Sequence, residues 1–544
     1  MKILRVDMNN LSTSIEDLPN GWEAVGGRGF TSGILDKEVP PDCDPLGPDN
    51  KLIIATGPLA GTLAPSCGRI SVGAKSPLTL GIKEANAGGP AGQKLDKLGF
   101  RGIIIEGKPK EDKYYVLVIN KEGSKMVDAD QYLGMMNYDL VSKLRQDFSD
   151  KAAVICIGIG GERKWKSAAV DLSDIDGHCS RHAGRGGVGA VMGSKGIKAI
   201  VLDDQDTSRV DIADNDRFKN TLKEWPAVLK EDKQIQGMSK YGTTGAISVL
   251  RGIGSMPAMN YSSEPLEGVE GISGQAIEKM NNERGGKMEG CMPGCLVKCS
   301  IVFNDADGKH VTSAFEYETI ALMGTNLGIV DPDVVAKFDR ICDDLGIDTI
   351  EIGSAMGVAA SAGKMKLGDA DSAFKLLDEI KNGTELGNIL GNGVVSTAKA
   401  FGIDRIPAVK GQAIPAHDPR FTKTTGVTYF NSPMGADHTA GISYTDPSST
   451  EGQGERSVLS QIFYSILDTL GYCMLAAPGD QKRLLTFLTD LINARYNIEL
   501  TIEDIVELGK KTLKTELKFN KGTEFDTAHP APDFLRTEKL APSG

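Results

Sequence analysis

With 544 residues, a net charge of −12, 40% hydrophobic and 25% charged residues, the chain has the composition of a soluble globular protein of about three domains. The mild negative balance excludes a general nucleic-acid binder, and no basic run forms an arm or a membrane patch. The start, from Met1 to Asp7, has only a short apolar run broken by charge; it is neither a signal peptide nor a membrane span, and a cytoplasmic protein is expected.

Residues 1–208 read as strands and turns. The β-rich runs 51–56, 102–106 and 114–119 are separated by Gly, Pro and Asp clusters, and a last strand is predicted over 199–202. The polar stretch 203–208 then marks a boundary. Much of the high Gly content falls in this first part, which suggests tight turns and close backbone approach to something bound. Beyond it the pattern becomes helical. Asp331 before Pro332 predicts a helix start, and Val334, Val335, Phe338, Ile341 and Leu345 follow at helical spacing up to a stop at Gly346. A second amphipathic helix is predicted from about Ser457, through Val458, Leu459, Ile462, Phe463, Ile466, Leu467 and Leu470, ending at Gly471. The last 20 residues are polar and Pro-containing and are expected to form an extended tail. The predicted class is α+β: a β-rich N-terminal domain over 1–208, then two mainly α-helical domains over 209–415 and 416–544.

Two glycine motifs fall short of nucleotide binding. In Gly193-Ser194-Lys195 the order is wrong for a phosphate loop, which needs Gly-Lys followed by Ser or Thr. Gly158, Gly160 and Gly161 follow a strand without completing the dinucleotide fingerprint.

Nine cysteines in a long chain without a leader do not suggest a disulfide framework. Cys291, Cys295 and Cys299 sit within nine residues, and Pro293 and Gly294 favour a loop wrapping a metal group over a regular helix. Iron–sulfur clusters take thiolates, usually four; Cys473, directly after the Gly-ended helix, is the candidate fourth. A zinc site and buried structural thiols are the alternatives. The spacing nearly matches the radical S-adenosylmethionine signature but has three, not two, residues in its second gap.

Asp343-Asp344-Leu345-Gly346-Ile347-Asp348 and Asp468-Thr469-Leu470-Gly471-Tyr472-Cys473 share the pattern Asp-x-Leu-Gly. Asp in a last helical turn faces the negative end of the helix dipole, a cost of ~0.3–1 kcal/mol. Two at matching offsets suggest carboxylates that accept hydrogen bonds from a ligand rich in N–H groups, such as a pterin; chance recurrence at helix ends is the alternative.

The chain resembles the aldehyde:ferredoxin oxidoreductases, from residue 1 to at least about 480. The resemblance is carried by the Gly-Gly-Arg-Gly run 26–29, by 68–71 and 75–79, by Asn86 to Gly89, by the segment Arg181 to Lys195, by Glu316 to Thr319, and by both Asp-x-Leu-Gly elements. It implies a β-domain base carrying a tungsten or molybdenum bis-pyranopterin, with helical domains closing over it. It further implies a [4Fe–4S] cluster on Cys291, Cys295, Cys299 and Cys473, and Arg69 linking cofactor to cluster. Asn86, Gly88 and the backbone of Ala183, Gly184, Arg185, Gly186 and Gly187 would contact the pterin phosphates and a bridging Mg2+; Asp343, Asp348 and Asp468 would bind the pterin rings. Glu318 and His438 are the implied catalytic pair, with Glu316 and His417 the competing assignments. The implied activity is oxidation of an aldehyde to a carboxylate, with Glu318 activating water, His438 meeting the carbonyl oxygen, and electrons leaving through the cluster to ferredoxin. The rivals are a catalytic subunit of a larger iron–sulfur complex reducing carboxylic acids or aryl-thioesters on the same cofactor, a cluster-only electron carrier, and a zinc-stabilised binding protein. No membrane partner is implied, and a homodimer is compatible with the resemblance.

Two features depart from the family. The first cysteine gap has three residues where the typical aldehyde enzymes have two, and the chain is shorter after residue 370, with a tight spacing between His438 and Cys473. Those loops shape the substrate pocket, so the substrate is less determined than the cofactor. Both metals use the same dithiolene donors, so protein ligands do not choose between them.

Overall fold

Short apolar runs broken by Gly-rich turns build two sheets from the first 202 residues. The computed structural model describes residues 1–262, 266–447 and 449–539. The first sheet uses β1 (Lys2–Asp7), β2 (Ser12–Asp17), β3 (Leu52–Thr56), β4 (Ile70–Lys75), β5 (Ile82–Ala87) and β6 (Phe100–Glu106), in the order β2-β1-β6-β3-β4-β5. The second uses β7 (Tyr115–Asn120), β8 (Gly123–Asp128), β9 (Ala153–Cys156), β10 (Val170–Ser173), β11 (Cys179–Ala183) and β12 (Ile197–Leu202), in the order β11-β10-β9-β12-β7-β8.

Strand for strand, one sheet repeats the other. Each begins with an antiparallel hairpin, brings its last strand back parallel to its first, and continues through antiparallel neighbours. A helix follows each hairpin, Gly27–Glu38 and Asn137–Phe148, and another follows each fifth strand, Ala91–Lys97 and Val188–Ser194. The chain therefore carries one β unit twice. Both copies share a core that includes Leu4, Leu52, Ile103, Val116, Ile155 and Ile200, so each sheet buries a face against the other unit.

Asp331 caps the helix Pro332–Leu345 by accepting from the N–H groups of Asp333 and Val334, and Gly346 ends it at φ 67. The second predicted helix runs Gln453–Leu470 and ends at Gly471, also at φ 67. It starts before Ser457 because its first turns bury polar side chains, which hydrophobic spacing does not reveal. Gln453 meets Thr424, and Ser457 meets Thr428 at 2.7 Å. The middle of the chain is not wholly helical. Lys287–Glu289, Ser300–Asn304 and His310–Ser313 pair antiparallel on either side of the cysteine run, in strands too short to show alternation. The tail includes a short helix, Phe534–Thr537, whose buried Phe534 lies beneath the Arg405 guanidinium at 4.2 Å; the part of the predicted tail over 540–544 lies outside the described residues. Among the described residues no helix is long and apolar enough to cross a membrane.

The two near-miss glycine motifs have structural explanations. Lys195 is buried with its Nζ on the carbonyls of Gly47 and Pro48, at 2.9 and 3.2 Å. Gly158 lets another backbone approach: a Cβ there would lie 2.3 Å from the Leu345 carbonyl oxygen. At the matching place in the first unit, a Cβ on Gly57 would lie 2.1 Å from the Leu470 carbonyl oxygen. The match continues one strand on, where Ala169 N–H donates to Gly346 O at 3.0 Å and Arg69 N–H donates to Gly471 O at 3.3 Å. Each Asp-x-Leu-Gly element is thus docked on the equivalent turn of one β unit.

Gly158→Ala should lower stability by about 1–3 kcal/mol, because its contact is backbone that cannot rotate away. Gly237→Ala, with open space inside the helix Lys233–Tyr241, should be neutral or stabilising by about 0.4–1 kcal/mol. Urea unfolding of both variants checks the pair; equal midpoints would remove the close-approach argument.

Candidate active site

The docked elements aim their carboxylates into the space between the β units and the helices. Asp468 Oδ2 lies 3.3 Å from Arg28 NH1. That guanidinium is itself buried and bidentate on Glu516, with both bonds at 2.8 Å. Burial and the neighbouring Glu84 push the Asp468 carboxyl up to about 8, against the pull of Arg28 and Arg69. Asp343 Oδ1 lies 3.0 Å from His182 Nε2, and His182 Nδ1 is 2.7 Å from Asp171. These acids overcome the burial of His182 and hold its pKa well above the ordinary value. Asp339 bonds Thr312 at 2.7 Å, and burial beside Asp343 drives its carboxyl well up. Asp468 at one helix end, and Asp339 one turn before Asp343 at the other, are thus buried acids pushed up from the ordinary carboxylate range, the condition that an N–H-rich ligand would relieve.

The other sequence-predicted residues surround this space. Asp348 caps the helix Thr349–Ser361 through Ile350 N–H at 2.9 Å and accepts from Arg185 Nε at 3.2 Å. The remaining Arg185 donors hold the carbonyls of Ala436 and Ala413, at 2.5 and 2.7 Å. This side chain therefore pins two loops, and only its backbone is free to meet a ligand. Gly184 faces open space, whereas Gly186 and Gly187, at φ 82 and 72, pack against Lys83 and the Lys166 carbonyl; Ala183 ends β11 and is buried. Asn86 accepts from Arg69 Nε, and its own carbonyl takes Arg69 NH2 at 3.0 Å. Arg69 NH1 reaches the Cys473 sulfur at 3.9 Å. Gly88 is needed for space, since a Cβ there would lie 2.7 Å from the Cys291 sulfur.

Cys291, Cys295, Cys299 and Cys473 gather together, with Arg69 beside Cys291 and Cys473, and burial raises all four thiols. Among the described residues only Glu318, His417 and His438 bring three such donor atoms within 4.8 Å of one another.

Glu318 sits in the turn Tyr317–Thr319, which leads into a π-helical turn over Ile320–Gly324, an irregularity frequent at functional sites. Its Oε2 accepts Ala416 N–H at 2.8 Å. Its Oε1 lies 2.9 Å from His417 Nε2 and 3.5 Å from His438 Nε2, yet is buried without a hydrogen-bond partner, as is His438 Nδ1. Burial pushes the Glu318 carboxyl up, but His438, His417 and the Ala416 N–H together bring it down to about 2. Burial lowers His438 to about 4 despite Glu318. At neutral pH the pair is an anionic carboxylate beside a neutral imidazole. Glu316 faces elsewhere: it accepts from Thr243 at 2.7 Å, and Arg181 and Arg69 are among its charged neighbours, so it lies towards the thiols. The histidine-flanked acid is Glu318, and both candidate histidines meet it.

Arg28, His182, Arg181 and Lys83 were missed in the sequence. Arg181 lies beside Cys291 and pairs with Glu289 at 3.1 Å, and buried Lys83 bonds Asp437, the neighbour of His438. Arg28, Arg181 and Lys83 have partners 100 or more residues away, and His182 joins a near acid, Asp171, to a far one, Asp343, so no local spacing marks the set; only the Arg181–His182 adjacency to the Gly-rich run offered a signal.

A duplicated β base, an acid at each of two docked helix ends, four thiols across one arginine and a carboxylate between histidines together define a redox enzyme of the cofactor-binding kind. The sequence profile of the aldehyde ferredoxin oxidoreductase N-terminal domain matches residues 3–204, and that of domains 2 and 3 matches 220–541. The chain belongs to the aldehyde ferredoxin oxidoreductase family. It is 33% identical to a tungsten-containing aldehyde ferredoxin oxidoreductase of Pyrococcus abyssi, covering 95% of this chain and 88% of that one. It is 30% identical to the WOR-like subunit of an aliphatic sulfonate oxidoreductase of Pyrococcus furiosus, covering 88% of this chain and 80% of that one. The fold is shared with the active-site complex of a benzoyl coenzyme A reductase, at a TM-score of 0.78 and 19% identity over 98% of this chain and 92% of that one.

Arg28→Met should cost about 3–5 kcal/mol by stranding buried Glu516, and Arg28→Met with Glu516→Leu should recover part of it. Urea melts of the two proteins decide. A second expectation concerns His438 in cofactor-free protein. Its folded pKa lies below the unfolded value of about 6.5, so the unfolded chain takes the proton first as pH falls, and stability drops through that window. Between pH 7 and 5 the wild type should lose about 1–2 kcal/mol more than His438→Gln. Identical pH dependence would mean that the imidazole is not held neutral.

Proposed function

We propose that this chain is a tungsten-pterin oxidoreductase that oxidises aldehydes to carboxylic acids and passes the electrons through a [4Fe–4S] cluster to ferredoxin or a partner iron–sulfur subunit. The observation that carries the reading is Arg69: one side chain spans from the acid-lined space, at Asn86, to the thiol group, at Cys473. A site for two-electron chemistry and a site for one-electron carriers thus share one guanidinium. Four thiols brought together from two distant segments suit a cluster. Asp343 and Asp468, with Asp348 beside them, would hold the two pterins, and the Asn86, Gly88 and Gly184 region their phosphates and a Mg2+ ion. The names of the tungsten-containing Pyrococcus relatives favour tungsten over molybdenum. The three-domain division at 208 and 415 is retained in this reading.

When bound, the tungsten bis-pterin supplies the acceptor for two electrons. The chain's own groups do the proton work. Glu318, ionised and with Oε1 standing 2.9 Å from His417 Nε2, takes a proton from the water that attacks the aldehyde carbon. His438, neutral, donates from its unpaired Nδ1 to the carbonyl oxygen as negative charge develops there. Buried Lys83, paired with Asp437, keeps the His438 loop in place.

Protein purified without oxygen from a host that makes the cofactor should hold about one tungsten and about four iron atoms per chain. Glu318→Gln should keep both metals and lower kcat for aldehyde oxidation by about 10²–10⁴-fold. Iron without tungsten or molybdenum, or full activity in Glu318→Gln, would overturn the reading.

A further inference from the structure

Oxidising R–CHO with one water to R–COO⁻ releases two electrons and three protons. The electrons have Arg69 and the thiols; the proton taken by Glu318 also needs a way out, because the carboxylate must be empty before the next turnover. His438 does not lead outward, since its Nδ1 is buried and unpaired and its Nε2 faces Glu318 at 3.5 Å.

Four phenols stand near this corner. Three are buried, with hydroxyls tied to backbone carbonyls: Tyr261 to Ile414 and Pro415 at 2.6 and 2.8 Å, Tyr317 to Ala416 at 2.5 Å, and Tyr429 to His417 at 3.1 Å. A hydroxyl on a carbonyl has no next acceptor for a proton. Tyr444 differs. Its Oη is 3.2 Å from His417 Nδ1, and Tyr444 keeps 39% of its surface exposed where His417 keeps 3%. On its other side, His417 puts Nε2 2.9 Å from Glu318 Oε1.

We propose that His417 and Tyr444 form a proton path from Glu318 to solvent, separate from the electron path through Arg69. The proton on Glu318 passes to His417 Nε2, the Nδ1 proton passes to Tyr444 Oη, and the phenol's own proton goes to water or a buffer base. No bond to carbon breaks, and one proton enters and one leaves at each step. The phenol and the imidazole then reset by hydroxyl rotation and tautomer exchange. Both residues act through Glu318 and touch no substrate, so they are relay residues.

The inference rests on the proposed aldehyde oxidation, and its test separates the two. In the holoenzyme, Tyr444→Phe keeps the ring and removes the proton carrier. Steady-state kcat should fall about tenfold or more, the solvent deuterium isotope effect should rise, and added imidazole should restore the rate. The first turnover, read by rapid-mixing absorbance of the iron–sulfur chromophore after aldehyde addition, should keep its rate, because Glu318 starts empty. Unchanged kcat and isotope effect, or a loss that imidazole does not rescue and that also slows the first turnover, would overturn the path. A readout free of turnover uses cofactor-free protein with ¹⁵N-labelled histidine, the six ring signals being few enough for His417→Gln to assign its own. Tyr444→Phe should move the His417 Nδ1 resonance, and an unmoved resonance overturns the path. Wild type loaded with both metals but inactive on aldehydes would overturn the aldehyde reading alone, leaving the resonance to decide the path.

Discussion

Two backbone hydrogen bonds, Ala169 N–H to Gly346 O and Arg69 N–H to Gly471 O, seat the helical part of the chain on the β base. Asp343 and Asp468, at the ends of the docked helices, are placed by this seating. It requires Gly57 and Gly158 to lack side chains, and it requires helix-ending glycines at positive φ so that the chain can turn back towards the sheet. Because the β unit occurs twice, one docking solution serves twice, and the acids at Asp343 and Asp468 arrive in equivalent positions. Duplicated geometry is what brings two similar acids to matching places in one chain.

The two sites differ in their cations. Asp468 has permanent charges nearby, Arg28 and Arg69, and Arg69 continues to the thiols. Asp343 has a histidine clamped between two acids. The first arrangement keeps a fixed positive charge between the pocket and the thiols, which favours electron density arriving there. The second holds a group whose charge depends on its acids. Similar scaffolds thus carry different electrostatics, and the half nearer the thiols is the one with charges that cannot be titrated away.

The relatives act on different compounds by name, while the fold persists even at 19% identity. The part of this chain that would meet substrate is not in the duplicated base. It is formed by segments around Glu318, His417 and His438, held by Arg185 and Lys83 from beneath. Separating the cofactor base from the substrate corner lets loops vary without disturbing the seating of the helix ends.

Hydrophobic period and turn chemistry were enough to place the helix Pro332–Leu345, because Asp331, Pro332 and Gly346 act through neighbours only a few residues away. The same locality made the cysteine trio and the repeated Asp-x-Leu-Gly legible. The early start of the helix Gln453–Leu470 was not, since its first turns bury glutamine and serine against a distant helix. The duplication was also hidden, because many apolar sequences satisfy the same strand pairing. The choice between Glu316 and Glu318 could not be read from residues two apart; the fold turns one towards Thr243 and the other towards the histidines. His417 and His438 looked like rivals in the sequence, and the tertiary structure brings both to one carboxylate, with His417 also meeting Tyr444. The sequence by itself determined what each segment can form and which ligand types it carries, because those depend on local backbone geometry and side-chain chemistry. Only the tertiary structure decided which groups meet, since pairs such as Arg28 with Glu516 are 488 residues apart in the chain and only burial together gives their charges meaning.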